Sequence, residues 1–238
     1  MKKIKLLAKD RGMLKNAEFQ GRTLFSLGEQ GTNRPGNFGP LYVFNDDILY
    51  PNSFLGMHPH SNVEIVTIMI NGFESHEDTL GAHEQYSAGD VQLISAGSGI
   101  RHSGGNLSSF ADARHLQIWI QPLDFDTVPQ VSVLKAAAKN TEKGKIRLIV
   151  SPDGDEGSLK INRQTWISEI NIESEEEFEV FSPSRAKGLL LYVVDGSTVN
   201  ILNENLQSGD TLFITDWEKF KIKAGDASIS LILIETDL

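Results

Sequence analysis

The chain of 238 residues contains no cysteine. Disulfides, thiolate metal sites and cysteine nucleophiles are excluded together, and the absence fits a reducing compartment. Histidine is missing from the whole second half: the six rings stand at positions 58, 60, 76, 83, 102 and 115. Imidazole chemistry therefore belongs to the first half. No apolar run approaches the roughly 18–20 residues that cross a bilayer. The start, Met1-Lys2-Lys3-Ile4-Lys5-Leu6-Leu7-Ala8-Lys9-Asp10-Arg11, carries the charge of a secretory leader, but charge returns before an apolar stretch can form. The expectation is a soluble, cytoplasmic protein with no membrane partner. Basic residues are outnumbered, 22 Lys and Arg against 32 Asp and Glu, for a net charge of −10. That balance argues against general nucleic-acid binding, which draws its affinity from neutralising phosphates.

Windows of helical period rich in Ala, Leu or Glu are also scarce. What stands in their place is 21 glycines and many short apolar runs cut by Gly, Asn and Asp, the pattern of an all-β chain. Arg22 to Leu27 and Leu41 to Phe44 read as strands separated by a loop over Gln30 to Asn37. Glu64 to Ile70 is a β-branched strand, and Asn71-Gly72 is a type I′ hairpin signal leading into a partner strand Phe73 to Thr79. With a two-residue loop, Thr67 would pair with His76, placing His76 on the face opposite Glu64. Ala88-Gly89-Asp90 is a turn into Val91 to Ser95, and Arg114 to Ile120 closes the first unit. Residues 122–144 are a connection with a short helix expected around Ser132 to Asn140. The second half repeats the plan: Val194-Asp195-Gly196 followed by Ser208-Gly209-Asp210 and Thr211 to Ile214 echoes Ile70-Asn71-Gly72, Ala88-Gly89-Asp90 and Val91 to Ile94. Further strands are expected over 145–150, 161–172, 189–194 and 228–235. The acidic run from Glu173 to Glu179 reads as a solvated loop.

His58 and His60 are two positions apart on an extended segment, so their rings point to the same side and one ion could see both. His102, delivered by the Gly97-Ser98-Gly99 loop, is the natural third donor. Glu64 is the candidate carboxylate, as fourth ligand or catalytic base. On one straight strand it would lie about 13 Å beyond His60, so only a reversal near Ser61-Asn62 could bring it to the ion. His76, His83 and His115 read as surface residues, with a second reading for His115 as a group that orients a ligand imidazole. Arg101 either steers an acidic substrate or pairs with Asp112 or Asp90.

Gly56-x-His58-Pro59-His60-x-x-x-Glu64-Ile65-Val66-Thr67, Gly72-x-x-x-His76-x-Asp78-x-x-Gly81, Gly89-Asp90-Val91-Gln92 and Ala96-Gly97-x-Gly99-Ile100-x-His102-Ser103 together resemble the signature of the pirin family within the cupins. Asp10-Arg11-Gly12, Thr23-Leu24-Phe25-Ser26 and Leu116-Gln117-Ile118-Trp119 resemble it as well. The similarity is dense from about residue 9 to residue 122.

The resemblance implies two tandem jelly-roll β-barrels: residues 1–122 as an N-terminal cupin with the metal site, 123–144 as a connecting segment, and 145–238 as a C-terminal cupin without one. It implies a single divalent ion, usually iron, with nickel, copper and zinc also suited to imidazoles, held by His58, His60 and His102. It implies a quercetin 2,3-dioxygenase-like activity on a flavonol or other aromatic small molecule, or a regulatory role through a protein partner. One departure stands out. Family members usually read His-Ser-Glu where this chain reads His102-Ser103-Gly104, so the usual fourth ligand and base is absent. The alternative reading is accordingly a non-catalytic regulatory or small-molecule-binding bicupin with a weakened or lost site. Restoring Glu at position 104 is expected to tighten iron binding.

Overall fold

A computed structural model describes residues 1–30, 32–136, 146–181 and 187–238. The chain is almost entirely strand and divides into two compact units, each a pair of facing antiparallel sheets. Both have the cupin architecture expected of an all-β bicupin.

The first unit lies within Gly12–Lys139 together with Ile161–Arg163. Its larger sheet runs, in spatial order, Gln130–Leu134, Val91–Ser95, Glu64–Asn71, Ala113–Ile120, Leu41–Leu49, Phe19–Thr23 and Gly12–Lys15. Its smaller sheet runs Leu55–His60, Ile100–Gly105, Phe73–Asp78 and His83–Ser87. Two small apolar clusters close the interior, one around Val63, Ile65, Ile94 and Ile100 and one around Leu49, Met69, Tyr86 and Ala113. Polar side chains line the space between them. The second unit comprises the described parts of Met1–Arg11, Asn140–Lys160 and Gln164–Leu238. There one continuous apolar core fills the interior, with Leu189, Leu191, Val193, Leu212, Ile214, Leu231 and Leu233 among its members.

The repeat seen in the sequence is present down to single hydrogen bonds. Gly89 N–H donates to Met69 O at 2.7 Å, and Gly209 N–H to Val193 O at 2.8 Å. Asp90 Oδ2 accepts from Ser87 N–H, and Asp210 Oδ2 from Gln207 N–H, each at 3.0 Å. The second oxygen of each aspartate receives a distant backbone amide, Ala136 N–H on Asp90 and Ala8 N–H on Asp210, both at 2.7 Å. Each of those amides follows an edge strand, Gln130–Leu134 against Val91–Ser95 and Lys2–Leu6 against Thr211–Thr215. The domain limits drawn from sequence change accordingly. Lys2–Leu6 pairs in the C-terminal sheet, and the expected connection supplies the N-terminal sheet with its edge strand. Each edge strand therefore comes from the segment preceding the other unit, which composition alone does not reveal.

Three local expectations also change. Asn71-Gly72 does not close a hairpin, because Glu64–Asn71 and Phe73–Asp78 lie in different sheets. Gly72, at φ 73°, is where the chain crosses between them, and a Cβ there would sit 2.9 Å from Ala113 Cα. The helix expected from Ser132 is replaced at its start by the strand Gln130–Leu134, and residues 137–140 lie outside the described residues. Within the acidic run, Glu177–Phe181 is a strand, where Glu177 and Glu179 meet Lys221 and Lys219 across the ladder.

Candidate metal centre

Register brings the histidines together. His102 pairs with His58, and Ile100 with His60, across Leu55–His60 and Ile100–Gly105. Paired residues and their i+2 neighbours share a face, so the three rings stand on the inner side of the smaller sheet. Ring centroids are 4.9 Å apart for His58 and His60, 4.4 Å for His58 and His102, and 5.1 Å for His60 and His102. One ring nitrogen from each lies within 4.8 Å of the other two. His58 Nδ1–H donates to Gly56 O at 2.9 Å, leaving Nε2 with its lone pair free to ligate.

The electrostatics favour ligation. Burial, and then repulsion from His58, lowers the His60 pKa to about 4. Burial, reinforced by His58, His60 and His76, lowers that of His102 to about 3. Both rings are therefore neutral near pH 7, the form that binds a cation. His102 Nε2 is buried with no hydrogen-bond partner among the described residues, a costly arrangement for a ring nitrogen that an ion would relieve. Two nitrogens on one ion lie at most about 4.2 Å apart, so ligation needs the ring tips to close by about 1 Å. The residues present thus fit a metal ion.

The rings line a cavity of about 100 Å³ between the sheets. The larger sheet contributes Ile65, Thr67, Gln92, Gln117 and Trp119 to its wall. Trp119 meets His60 edge-on, with ring centroids 5.1 Å apart.

Glu64 does not reach this space. The chain does reverse near Ser61-Asn62, where Asn62 has φ 52°. The turn, however, carries the backbone into the other sheet, and strand alternation points Ile65 and Thr67 inward and Glu64 outward. Glu64 is 1% exposed and accepts a hydrogen bond from Ser95 Oγ at 2.6 Å. Burial raises its pKa against the opposing pull of Ser95 and the Asn162 backbone amide.

His76 and His115 are not surface residues. His76 is 4% exposed, donates through Nε2 to Asp78 Oδ2 at 2.9 Å, and lies 5.4 Å from the His102 ring. Facing away from Glu64, which suggested an outward His76, in fact turns it inward. His115 is 5% exposed and shares Nδ1–H with Glu74 Oε1 at 2.5 Å, while Nε2 lies 3.5 Å from Asp47 Oδ2. Burial opposes its charge, yet the Glu74 and Asp47 carboxylates outweigh that and raise its pKa to about 10. Alternate polar residues in Phe73–Asp78, namely Glu74, His76 and Asp78, were the available signal. His83 is exposed, as expected. Arg101 donates to Met57 O at 3.1 Å instead of pairing with Asp90, which is held by Lys135.

Gly104 has been rebuilt as well as truncated. A Cβ there would lie 2.2 Å from Ser75 O, and one on Gly105 would lie 2.2 Å from Ser53 O. This end of Ile100–Gly105 is wedged between backbone carbonyls on both sides.

The family profile described as Pirin matches residues 7–120, and that described as Quercetinase C-terminal cupin domain matches residues 148–236. Quercetin 2,3-dioxygenase of Escherichia coli (strain K12) is 33% identical over 195 residues, 82% of each chain. The chain belongs to the pirin family.

Other comparisons agree. A pirin-like protein of Caulobacter vibrioides is 42% identical to this pirin over 120 residues, 50% of this chain and 51% of that one. The crystal structure of the bacterial pirin YhhW from Escherichia coli in complex with nickel(II) superimposes with a TM-score of 0.90 at 28% identity, covering 99% of both chains. Among the described residues of this pirin, no helix is long and apolar enough to cross a membrane.

Proposed function

We propose that this pirin is a metal-dependent oxygenase of the quercetin 2,3-dioxygenase type, holding one divalent ion on His58, His60 and His102. The carrying observation is the convergence of three imidazole nitrogens within 4.8 Å on the wall of an internal cavity. The relative named quercetin 2,3-dioxygenase and the nickel complex of YhhW support it. Iron is the ion the family resemblance favours, and nickel is equally suited to three imidazoles. When bound, such an ion supplies a Lewis acid for an enol oxygen and the redox chemistry of oxygenation.

The chain's own residues do the rest. At roughly 30 Å³ per water, a cavity of about 100 Å³ admits only the reacting edge of a flavonol. His60 also lines an open groove of about 360 Å³ with Pro59, Thr79, Ile100 and Arg101, where the remaining rings can lie. Among the described residues Arg101 makes no ion pair, so its guanidinium is free to meet a phenolate or stack on an aromatic ring. We place the protein in the cytoplasm, a reading supported by the absence of cysteine.

Metal analysis of untagged protein, followed by oxygen uptake with quercetin on iron, nickel and zinc forms, tests the reading. Stoichiometric metal and quercetin-dependent uptake are expected. Absence of uptake with all of these metals would remove the oxygenase assignment and favour a binding or regulatory bicupin.

A further inference from the structure

We propose that Glu74, held by His115, is the base that takes the proton from the substrate's enol hydroxyl. The proposal rests on the oxygenase reading for its substrate class. A carboxylate at position 104 is the family's usual source of such a base, and this chain has only Gly104 there. Among the described residues lining the cavity, Glu74 is the one carboxylate. It shares the inward face of Phe73–Asp78 with His76 and Asp78. Asp78 is already committed to His76 and to the Leu80 and Ala82 amides. Glu74 is not: Oε1 takes the His115 Nδ1–H, and Oε2 has no hydrogen-bond partner among the described residues.

His115 stays charged because a second carboxylate stands behind it. Asp47, on Leu41–Leu49, faces Nε2 and keeps its own Oδ1 buried without a partner. The other titratable groups around the pair are His76 on the same strand, Tyr86 across the ladder from Glu74, and Glu18 on the far side of His115. Enclosing one imidazolium between two carboxylates costs desolvation energy that an apolar filling would avoid. A carboxylate fixed by one oxygen and open at the other is what proton abstraction requires. In the step, the substrate O–H bond breaks, its electron pair stays on oxygen as the enolate, and the proton passes to Glu74 Oε2. No electron is transferred, and His115 keeps its hydrogen bond to Oε1 throughout.

The test uses nickel(II)-loaded full-length protein and quercetin under argon, reading the long-wavelength absorption that marks an ionised flavonol. Wild type is expected to ionise bound quercetin near neutral pH. Glu74→Gln should keep its nickel content and bind quercetin, but ionise it only at a pH higher by about one unit or more. Glu74→Asp should recover part of the shift. In air, Glu74→Gln should lower kcat by about 100-fold with little change in KM. An unchanged ionisation midpoint in Glu74→Gln, with metal and quercetin bound, would overturn the role of Glu74. If wild type ionises quercetin in a Glu74-dependent way yet consumes no oxygen, the oxygenase reading falls and the base assignment stands. If wild type binds no quercetin, both fall.

Discussion

Gly104 offers the sharpest test of the packing argument. A Cβ at this position lies 2.2 Å from Ser75 O and 3.3 Å from Ser75 C. Carbon and carbonyl oxygen tolerate roughly 3.3 Å, so the strand must retreat by about 1 Å. Retreat is blocked, because Ile100–Gly105 lies between Phe73–Asp78 and Leu55–His60, and a Cβ on Gly105 would already sit 2.2 Å from Ser53 O. Gly104→Ala is therefore an overpacking change against backbone on both sides, costing about 1–3 kcal/mol. For a chain of this size that is a fall in Tm of roughly 3–10 °C. His102 is two residues away on the same face, so the displacement also spoils the alignment of the imidazoles, and weaker nickel binding is expected. Gly104→Glu adds a carboxylate but carries the same Cβ, so the expectation of tighter binding from sequence is reversed. Thermal melts of stripped and nickel-loaded protein, with metal content by mass spectrometry, decide the matter. A Gly104→Ala melt within about 1 °C of wild type, or a Gly104→Glu protein that melts unchanged and binds nickel more tightly, would refute the reasoning.

Further outcomes follow from the same coordinates. His102→Ala removes one of three imidazole donors and should abolish stoichiometric metal while leaving the β-sheet circular dichroism unchanged; full retention would disprove ligation by His102. His60 and His102 resist protonation until about pH 4 and 3, whereas an unfolded His takes a proton near 6.5. Metal-free protein should therefore lose stability as pH falls from 6.5 towards 3, and the loss should shrink in a His60→Gln, His102→Gln variant. His115 has the opposite sign: its folded pKa is raised to about 10, so its stabilisation is complete below 6.5 and disappears as pH rises through 10. Imidazole NMR should show both of its nitrogens protonated at pH 8, and a neutral ring there would contradict the Glu74 and Asp47 pairing. Asp210→Ala removes the hydrogen bonds from Ala8 and Gln207 and should cost about 2 kcal/mol in urea unfolding, as should Asp90→Ala in the other barrel.

Much was decided by sequence alone. The His58-Pro59-His60 spacing, the Gly-loop before His102 and the doubled Gly-Asp turn are local chemistry: alternation on a strand and the hydrogen bonds of a tight turn do not depend on what lies far away. The family resemblance likewise rested on residues read in order. Which face of a strand looks inward is a different kind of fact, because alternation defines two faces without saying which one the opposing sheet covers. Treating Asn71-Gly72 as a hairpin put His76 outside and left Glu64 as the candidate carboxylate; the crossing at Gly72 between sheets turned His76, Glu74 and His115 into the cavity and Glu64 away from it. The exchange of edge strands escaped notice for the same reason, since Lys2–Leu6 and Gln130–Leu134 acquire their partners only through pairing over long stretches of chain. Sequence specified the imidazoles, and tertiary packing selected the carboxylate that stands beside them.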